Sequence, residues 1–351
     1  MDTASNGHRA RTGADATTDW LRTGAGIMDV PTGLTPKDVV WTLNKTTLYR
    51  YRGPGPARHR VPVLIVYGLI NKPYILDLRP ENSFVGHLLG EGFDVFLLDW
   101  GEAGREDAGL TLDELVCEHL PKAVERMRRA GAGPEYTLFG YCMGGTMAVI
   151  HAALRPDGVR NLVALTTPVD FSDPGVFGRW TDPRHLDAEA MASALGIVPG
   201  PLIDLANRMI KPVANFVTTP LVMWQRALGG RDMTPWLAMQ KWVNDTVPFP
   251  GAAFAQWIGS FYQRNELTSG ALTMGGDRVD LAEVTAALLV VTAARDHLVP
   301  AGMSTPLIDM ASSEDATHLD MQAGHVGLLA GSGARDALWP VLTEWLAERS
   351  S

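Results

Sequence analysis

Cys142 lies in the run Gly140-Tyr141-Cys142-Met143-Gly144-Gly145, a Gly-x-Cys-x-Gly pattern. The apolar stretch Tyr136-Thr137-Leu138-Phe139 before it suits a buried strand, and Thr146 to Leu154 after it has helix-compatible composition. Strand, glycine-flanked turn and helix are the context of a nucleophile elbow, here with sulfur where such elbows usually present a serine oxygen. A nucleophile at an elbow takes a strained backbone conformation, and the small flanking residues give it room. The competing reading of the bare pattern is a buried structural cysteine. The flanking strand and helix favour a catalytic thiol.

A thiol nucleophile needs a base to form thiolate and a group to orient that base. The apolar run Ala287 to Thr292 leads into Ala293-Ala294-Arg295-Asp296-His297, which delivers Asp296 at the carboxyl edge of a sheet. Gly324-His325-Val326-Gly327 then places a histidine in a loop between small residues. Nucleophile, acid, histidine is the chain order of α/β-hydrolases. Asp99 also ends a strand but precedes the nucleophile and breaks that order. His297 adjoins Asp296, and neighbours at a strand end point apart. His318 falls in the strand-like Thr317 to Met321, where a structural role is expected, and His59, His87, His119 and His151 fall in surface or helix contexts. The oxyanion hole is expected to use the backbone N–H of Met143 and a second donor near Leu69-Ile70-Asn71. No His/Cys/Asp spacing suggests a metal site.

Sulfur has a thermodynamic meaning. Acyl transfer from a thioester onto Cys142 exchanges one thioester for another at nearly constant free energy, whereas a serine would dissipate the difference. An enzyme that next passes the acyl group to an alcohol benefits from that conservation. The thiol therefore tilts the reading toward acyl transfer over plain hydrolysis.

The elements that must position these groups are legible as apolar runs. Val61 to Tyr67, Asp94 to Trp100, Tyr136 to Phe139, Leu162 to Leu165 and Ala287 to Thr292 read as strands of a parallel sheet covered on both faces, with Lys45 to Arg52 as a first strand. Thr111-Leu112-Asp113-Glu114 is a capping-box sequence opening a helix, which Pro121 is expected to kink or break. The strand–helix rhythm stops between residues 171 and 280, a region holding Trp180, Trp224, Trp236, Trp242 and Trp257. This reads as a helical cap inserted over Cys142 and lining an apolar channel. The expected organisation is a disordered tail at 1–24, an α/β core at 25–170 and 281–351, and the inserted cap at 171–280.

Net charge is −9, which argues against a nucleic-acid binder. The 2 cysteines, Cys117 and Cys142, form no disulfide framework and suit a reducing interior. The polar N-terminus lacks the apolar core of a signal peptide, and no run is long enough to span a bilayer, so a cytoplasmic location is expected.

Taken together these motifs resemble the polyhydroxyalkanoate synthases, enzymes that polymerise hydroxyacyl-CoA into storage polyester. The similarity is carried by Tyr67 to Leu78, by Leu98-Asp99-Trp100-Gly101, by Thr166 to Phe171, by Gln240 to Asp245 around Trp242, by Phe261 to Leu267, and by Asp296-His297 and Gly324-His325. It runs from about Thr35 to the end. The resemblance implies an α/β-hydrolase fold, Cys142 as acylated nucleophile and His325 as its base. Asp296 would orient His325 or activate the incoming hydroxyl, and Ile70 and Met143 would supply the oxyanion N–H groups. It further implies an (R)-3-hydroxyacyl-CoA substrate, short-chain 3-hydroxybutyryl-CoA by expectation, with no cofactor beyond that thioester. The growing polyester and the granule surface would be partners, as would a noncatalytic PhaE- or PhaR-like second subunit and a second copy in a homodimer. The chain resembles the short catalytic subunit of the two-component synthases. Two alternatives remain open: a cysteine α/β-hydrolase of the thioesterase or dienelactone-hydrolase type, and a noncatalytic granule-surface or scaffolding protein.

Overall fold

Val63-Leu64-Ile65-Val66 has no solvent-exposed surface, and the direction of its side chains explains why. Leu64 and Val66 pack into one hydrophobic cluster while Val63 and Ile65 pack into another, so the strand is covered on both faces. The structure, a computed structural model, describes residues 30–331 and 333–350. The tail expected over residues 1–24 lies outside them.

Eight strands form the main sheet: β1 Lys37–Leu43, β2 Thr46–Tyr51, β3 Val63–Val66, β4 Val95–Asp99, β5 Tyr136–Tyr141, β6 Val159–Leu165, β7 Ala287–Ala293 and β8 Ala316–Met321. Their spatial order is β1-β2-β4-β3-β5-β6-β7-β8. β1 pairs antiparallel with β2, and β2 antiparallel with β4. Every pairing from β4 through β3, β5, β6 and β7 to β8 is parallel. This is the α/β-hydrolase fold.

The first strand differs from expectation. The Lys45–Arg52 run is β2, and a further strand, β1, precedes it through a tight turn in which Asn44 has a φ of 51°. β1 is an edge strand whose side chains are mostly exposed, so it lacks the continuous apolar signature of its neighbours.

The helices that matter below are α1 Phe84–Gly90, α2 Leu120–Met127, α3 Met143–Leu154, α4 Ala188–Leu195, α5 Gly200–Met209, α6 Thr219–Leu228, α7 Thr234–Asn244, α8 Gly251–Gln256, α9 Pro306–Met310 and α10 Ala334–Glu348. α2 and α3 cover one face of the sheet; α1 and α10 cover the other. The capping box forms: Thr111 N–H donates to Glu114 Oε2 at 2.9 Å, and Glu114 N–H donates to Thr111 Oγ1 at 3.1 Å. Pro121 falls in the first turn of α2, directly after a π-helical turn at Leu115–His119. The helical path continues there through a widened turn, which accommodates a ring that cannot donate to the preceding turn.

Between β6 and β7 the chain is mainly helical, with α4 to α8, the short helices Val176–Trp180 and Glu266–Ser269, and π-helical segments at Ala214–Thr218 and Trp257–Gln263. This stretch also holds two antiparallel pairs, Ile197–Val198 with Phe249–Pro250 and Thr273–Met274 with Asp277–Arg278. Pairs of two residues carry no periodicity that a sequence reading could detect.

Candidate active site

β5 ends at Tyr141 and α3 begins at Met143, leaving Cys142 alone at the turn with φ 54° and ψ −126°. A non-glycine residue in that region stores about 1–3 kcal/mol of strain and persists only where its surroundings over-determine it. Here they do. Cys142 N–H donates to Leu165 O on β6 at 3.0 Å, and the Cys142 carbonyl accepts from Gly145 N–H at 2.9 Å. The elbow glycines are explained by close approach, for none of the three has a positive φ. A Cβ on Gly140 would lie 2.3 Å from Gly145 Cα, and one on Gly144 would lie 2.2 Å from Val66 O. One on Gly145 would lie 1.8 Å from Thr167 Oγ1. A strand, its neighbour and a helix start converge too tightly for any side chain.

Asp296 follows β7 and His325 follows β8, so both arrive at the carboxyl edge beside the elbow. His325 Nδ1 and Asp296 Oδ2 are 2.6 Å apart. The other carboxylate oxygen, Oδ1, accepts from the N–H groups of Leu298 at 2.8 Å and Val299 at 2.9 Å. The Asp296 side chain is 0% exposed and that of His325 only 10%. Burial pulls the His325 pKa down, but the Cys142 charge and the hydrogen bonds to Asp296 and Cys142 outweigh it, and the imidazole is pushed up to about 10. The structure thus brings Cys142, His325 and Asp296 together with His325 between the other two. An arrangement of this kind can hold a thiolate–imidazolium pair and return a proton to a leaving group.

The remaining candidates are elsewhere. Asp99 accepts from Gly101 N–H at 3.0 Å and lines a separate polar cavity of about 380 Å³ with Lys45, Lys72 and Glu102. His297 is exposed at the rim of the larger cavity, apart from the Asp296 carboxylate that serves His325. His318 Nε2 contacts Thr292 Oγ1 at 2.9 Å on the neighbouring strand. His59 stacks on Phe93 at 4.1 Å, and His87 lies 5.4 Å from Trp339. His119 and His151 are on helical turns but are buried, paired with Thr46 at 2.8 Å and Tyr136 at 3.2 Å.

Ile70 and Met143 line the same cavity as Cys142 and His325. The Met143 N–H, first in α3, has no acceptor within its helix and is available to an oxyanion. The Ile70 loop is tied to the inserted segment. The Ile70 carbonyl accepts from Val247 N–H at 3.0 Å, and Asn71 bridges Thr246. Trp242 Nε1 donates to Lys72 O at 2.8 Å, and Tyr74 donates to Asp245 at 3.0 Å.

The cavity above Cys142 measures about 960 Å³. Trp180, Trp236, Trp242 and Trp257 line it, together with Met191 and Met223; Trp224 stands exposed on α6. Sequence reasoning missed Tyr262, whose hydroxyl pKa is raised by burial and then by the Cys142 charge, Tyr141, whose ring packs on His325, and Tyr67, whose ring packs on Tyr141. Tyr141 carried a positional signal, its place beside Cys142, whereas Tyr67 and Tyr262 fell inside longer motifs that gave them no individual role. Among the described residues no cluster of His, Cys, Asp and Glu is arranged to hold a metal ion, and no helix is long and apolar enough to cross a membrane.

Comparison with known proteins adds to this geometry. A family model described as "alpha/beta hydrolase fold" matches residues 61–331, and one described as "Poly-beta-hydroxybutyrate polymerase (PhaC) N-terminus" matches residues 28–88. The poly(3-hydroxyalkanoate) polymerase subunit PhaC of Haloferax mediterranei is 38% identical over 325 residues, covering 92% of this chain and 66% of the relative. That of Allochromatium vinosum is 35% identical over 323 residues, covering 91% and 90%. That of a Synechocystis strain is 34% identical over 331 residues, covering 92% and 86%. Among solved structures, a Paleococcus ferrophilus monoacylglycerol lipase aligns with TM-score 0.55 at 18% identity, covering 86% of this chain and 99% of its own. A lipase-like structure from Sulfolobus solfataricus aligns with TM-score 0.57 at 14% identity, covering 89% and 93%. At those identities the likeness to the lipases concerns the fold alone.

Proposed function

From the premise that this chain belongs to the poly(3-hydroxyalkanoate) polymerase subunit PhaC family, and so is an acyltransferase, we propose that it polymerises (R)-3-hydroxyacyl-CoA through a thioester on Cys142. The observation that carries this reading is a strained thiol beside a buried histidine–aspartate pair, on the floor of a large apolar cavity.

His325 takes the proton of the Cys142 thiol, and the thiolate attacks the carbonyl carbon of the incoming thioester. The oxyanion is held by the N–H groups of Met143 and Ile70. Collapse breaks the carbon–sulfur bond to CoA, whose thiolate leaves with the proton carried by His325. In the second half, the hydroxyl of another hydroxyacyl unit gives its proton to His325. Its oxygen attacks the thioester bearing the chain, forming an ester as the carbon–sulfur bond breaks and the thiolate is restored. Asp296 serves as the orienter of His325. Its oxygens are engaged by His325 and two backbone N–H groups, and its side chain has no surface to offer a substrate hydroxyl.

The inserted residues 171–280 act as the cap that excludes water, which a polymerase needs because water competes with the hydroxyl acceptor. The apolar lining suits a short aliphatic hydroxyacyl group and the polyester it forms. The relatives are described as polymerase subunits, which supports a second, noncatalytic subunit as partner; a homodimer and a place on the cytoplasmic polyester granule belong to the same reading.

The test is to supply 3-hydroxybutyryl-CoA with and without a candidate partner and to follow CoA release and insoluble polyester. CoA release matched by polymer supports the proposal. Release matched by free hydroxy acid, with no polymer in any condition, replaces it with a cysteine hydrolase.

A further inference from the structure

Three contacts meet on His325, and only two come from groups with an assigned part in the chemistry. The third comes from Tyr141, the last residue of β5 and the chain neighbour of Cys142. Its hydroxyl donates to the backbone carbonyl of His325 at 3.2 Å, and its ring lies 5.2 Å from the imidazole at an interplanar angle of 34°. Tyr67, at the end of β3, packs its ring 5.8 Å from that of Tyr141. Both tyrosines are buried.

Besides Tyr141, the turn that carries His325 is held on its N-terminal side, where Arg295 donates from its backbone N–H to Ala323 O at 2.9 Å and from its guanidinium to Gln322 O at 2.7 Å. The carbonyls on either side are used by the four-residue helix Gly327–Ala330: Gly324 accepts from Leu328 N–H at 2.8 Å, and Val326 accepts from Ala330 N–H at 2.9 Å. The turn itself is only partly buried. Asp296 restrains the ring through Nδ1, but that bond does not hold the His325 peptide plane, whose carbonyl is bonded by Tyr141. A rocking peptide would carry Nε2 away from the Cys142 sulfur.

Resting on the assignment of Cys142 and His325 as nucleophile and base, we infer that Tyr141 is a positioning residue that ties the base to the nucleophile's own strand. Its hydroxyl clamps the His325 peptide while its ring backs the imidazole. Tyr141 and Cys142 are adjacent, so any movement of the strand end moves sulfur and base together. The registry between them is then set across one peptide bond, although Tyr141 and His325 are 184 residues apart in sequence. Burial holds the Tyr141 hydroxyl well above its usual titration range, so it remains a donor wherever the enzyme works.

The experiment compares Tyr141→Phe with Tyr136→Phe. Tyr136 opens the same strand and spends its hydroxyl on His151, also at 3.2 Å, far from the base. Each variant therefore loses one buried hydroxyl contact of similar length. Alkylation of Cys142 by iodoacetamide is followed across pH, which reads the thiol–imidazole pair without assuming any substrate. kcat and KM with 3-hydroxybutyryl-CoA are measured beside it.

Tyr141→Phe is expected to lower kcat about tenfold with KM within about twofold, because a base displaced by a fraction of an ångström loses rate rather than binding. Its alkylation rate near neutral pH should fall below the parent's, since a displaced imidazole draws the proton from the neighbouring thiol less effectively, while at high pH, where thiols ionise unaided, the two should converge. Tyr136→Phe should keep the parent profile at a comparable melting temperature, and Tyr141→Leu, which removes the ring as well, should exceed Tyr141→Phe in both effects. A Tyr141→Phe profile and kcat equal to the parent's would overturn the inference. Failure of polymer synthesis in the parent, with the alkylation difference intact, would instead fault the polymerase reading alone.

Discussion

β3 and the segment from Leu195 to Leu228 carry the same kinds of side chain, yet water meets them very differently. All four residues of β3 are wholly buried, whereas Val213 is 69% exposed and Leu205, on α5, is 50% exposed. α6 has no buried residue, and in α5 only Gly200 is buried. The sheet buries its apolar surface against helices on both faces and can hold a strained thiol still. The inserted segment spends much of its apolar surface lining a cavity or facing outward. Structures with few buried contacts open at lower free energy than a sheet core. The proposed chemistry sits on the rigid half. That half is bonded to the insertion both through the Ile70 loop, whose carbonyl accepts from Val247 N–H, and through the carbonyls of Ala108 and Leu110, which accept from Ala252 and Ala253 N–H.

The largest effect that tests this contrast is on the rigid side. Cys142→Ala should reduce CoA release by about a thousandfold or more while circular dichroism stays native, because removal of a nucleophile leaves binding and the oxyanion donors in place. Retained turnover would remove the thiol from the reaction.

A glycine pair separates the halves by stability. Gly145→Ala should cost about 3 kcal/mol or prevent folding, since its Cβ would overlap Thr167 and overpacking in a core is expensive. Gly230, which follows α6, has a φ of 64° and open space where a Cβ would go, so Gly230→Ala should cost about 1 kcal/mol for backbone strain alone. Denaturant midpoints of the two variants would decide it. Equal costs would mean the elbow is looser than its contacts indicate.

Leucine truncation sharpens the same point. Leu138→Ala, in β5, should destabilise by about 2–5 kcal/mol, and Leu205→Ala by no more than about 0.5 kcal/mol. A large Leu205 effect would indicate that a partner covers that face in solution.

The smallest effect is on pH dependence. His325 is raised to about 10 in the folded chain, against about 6.5 for an unperturbed histidine. Its contribution to stability is therefore fully present below about pH 6.5 and is lost as pH rises through about 10. Melting temperature should fall across that interval, and by less in Asp296→Asn, where the pairing that favours the imidazolium is weakened. A parent and variant with the same slope would place the dependence on other groups.

Much of this was legible in the chain itself. The elbow, the order Cys142, Asp296, His325 and the buried central strands are written in local patterns: glycine spacing, apolar run length, loop chemistry. Such patterns survive because strand and turn preferences act over a few residues. Less was legible where the signal is faint or shared. β1 is mostly exposed and mixes charged, polar and apolar residues without a strand-like run, and nothing local distinguishes the buried His151 from a surface helix position.

The sequence alone determined which residue types could react and in what order the fold would present them. The tertiary structure decided how they are held: the carboxylate of Asp296 engaged on both oxygens, the Ile70 loop fastened to the inserted segment, the carbonyl of His325 clasped by Tyr141. Those contacts join residues far apart in the chain, and no short-range pattern can encode a distance that exists only after the sheet has brought its strand ends together.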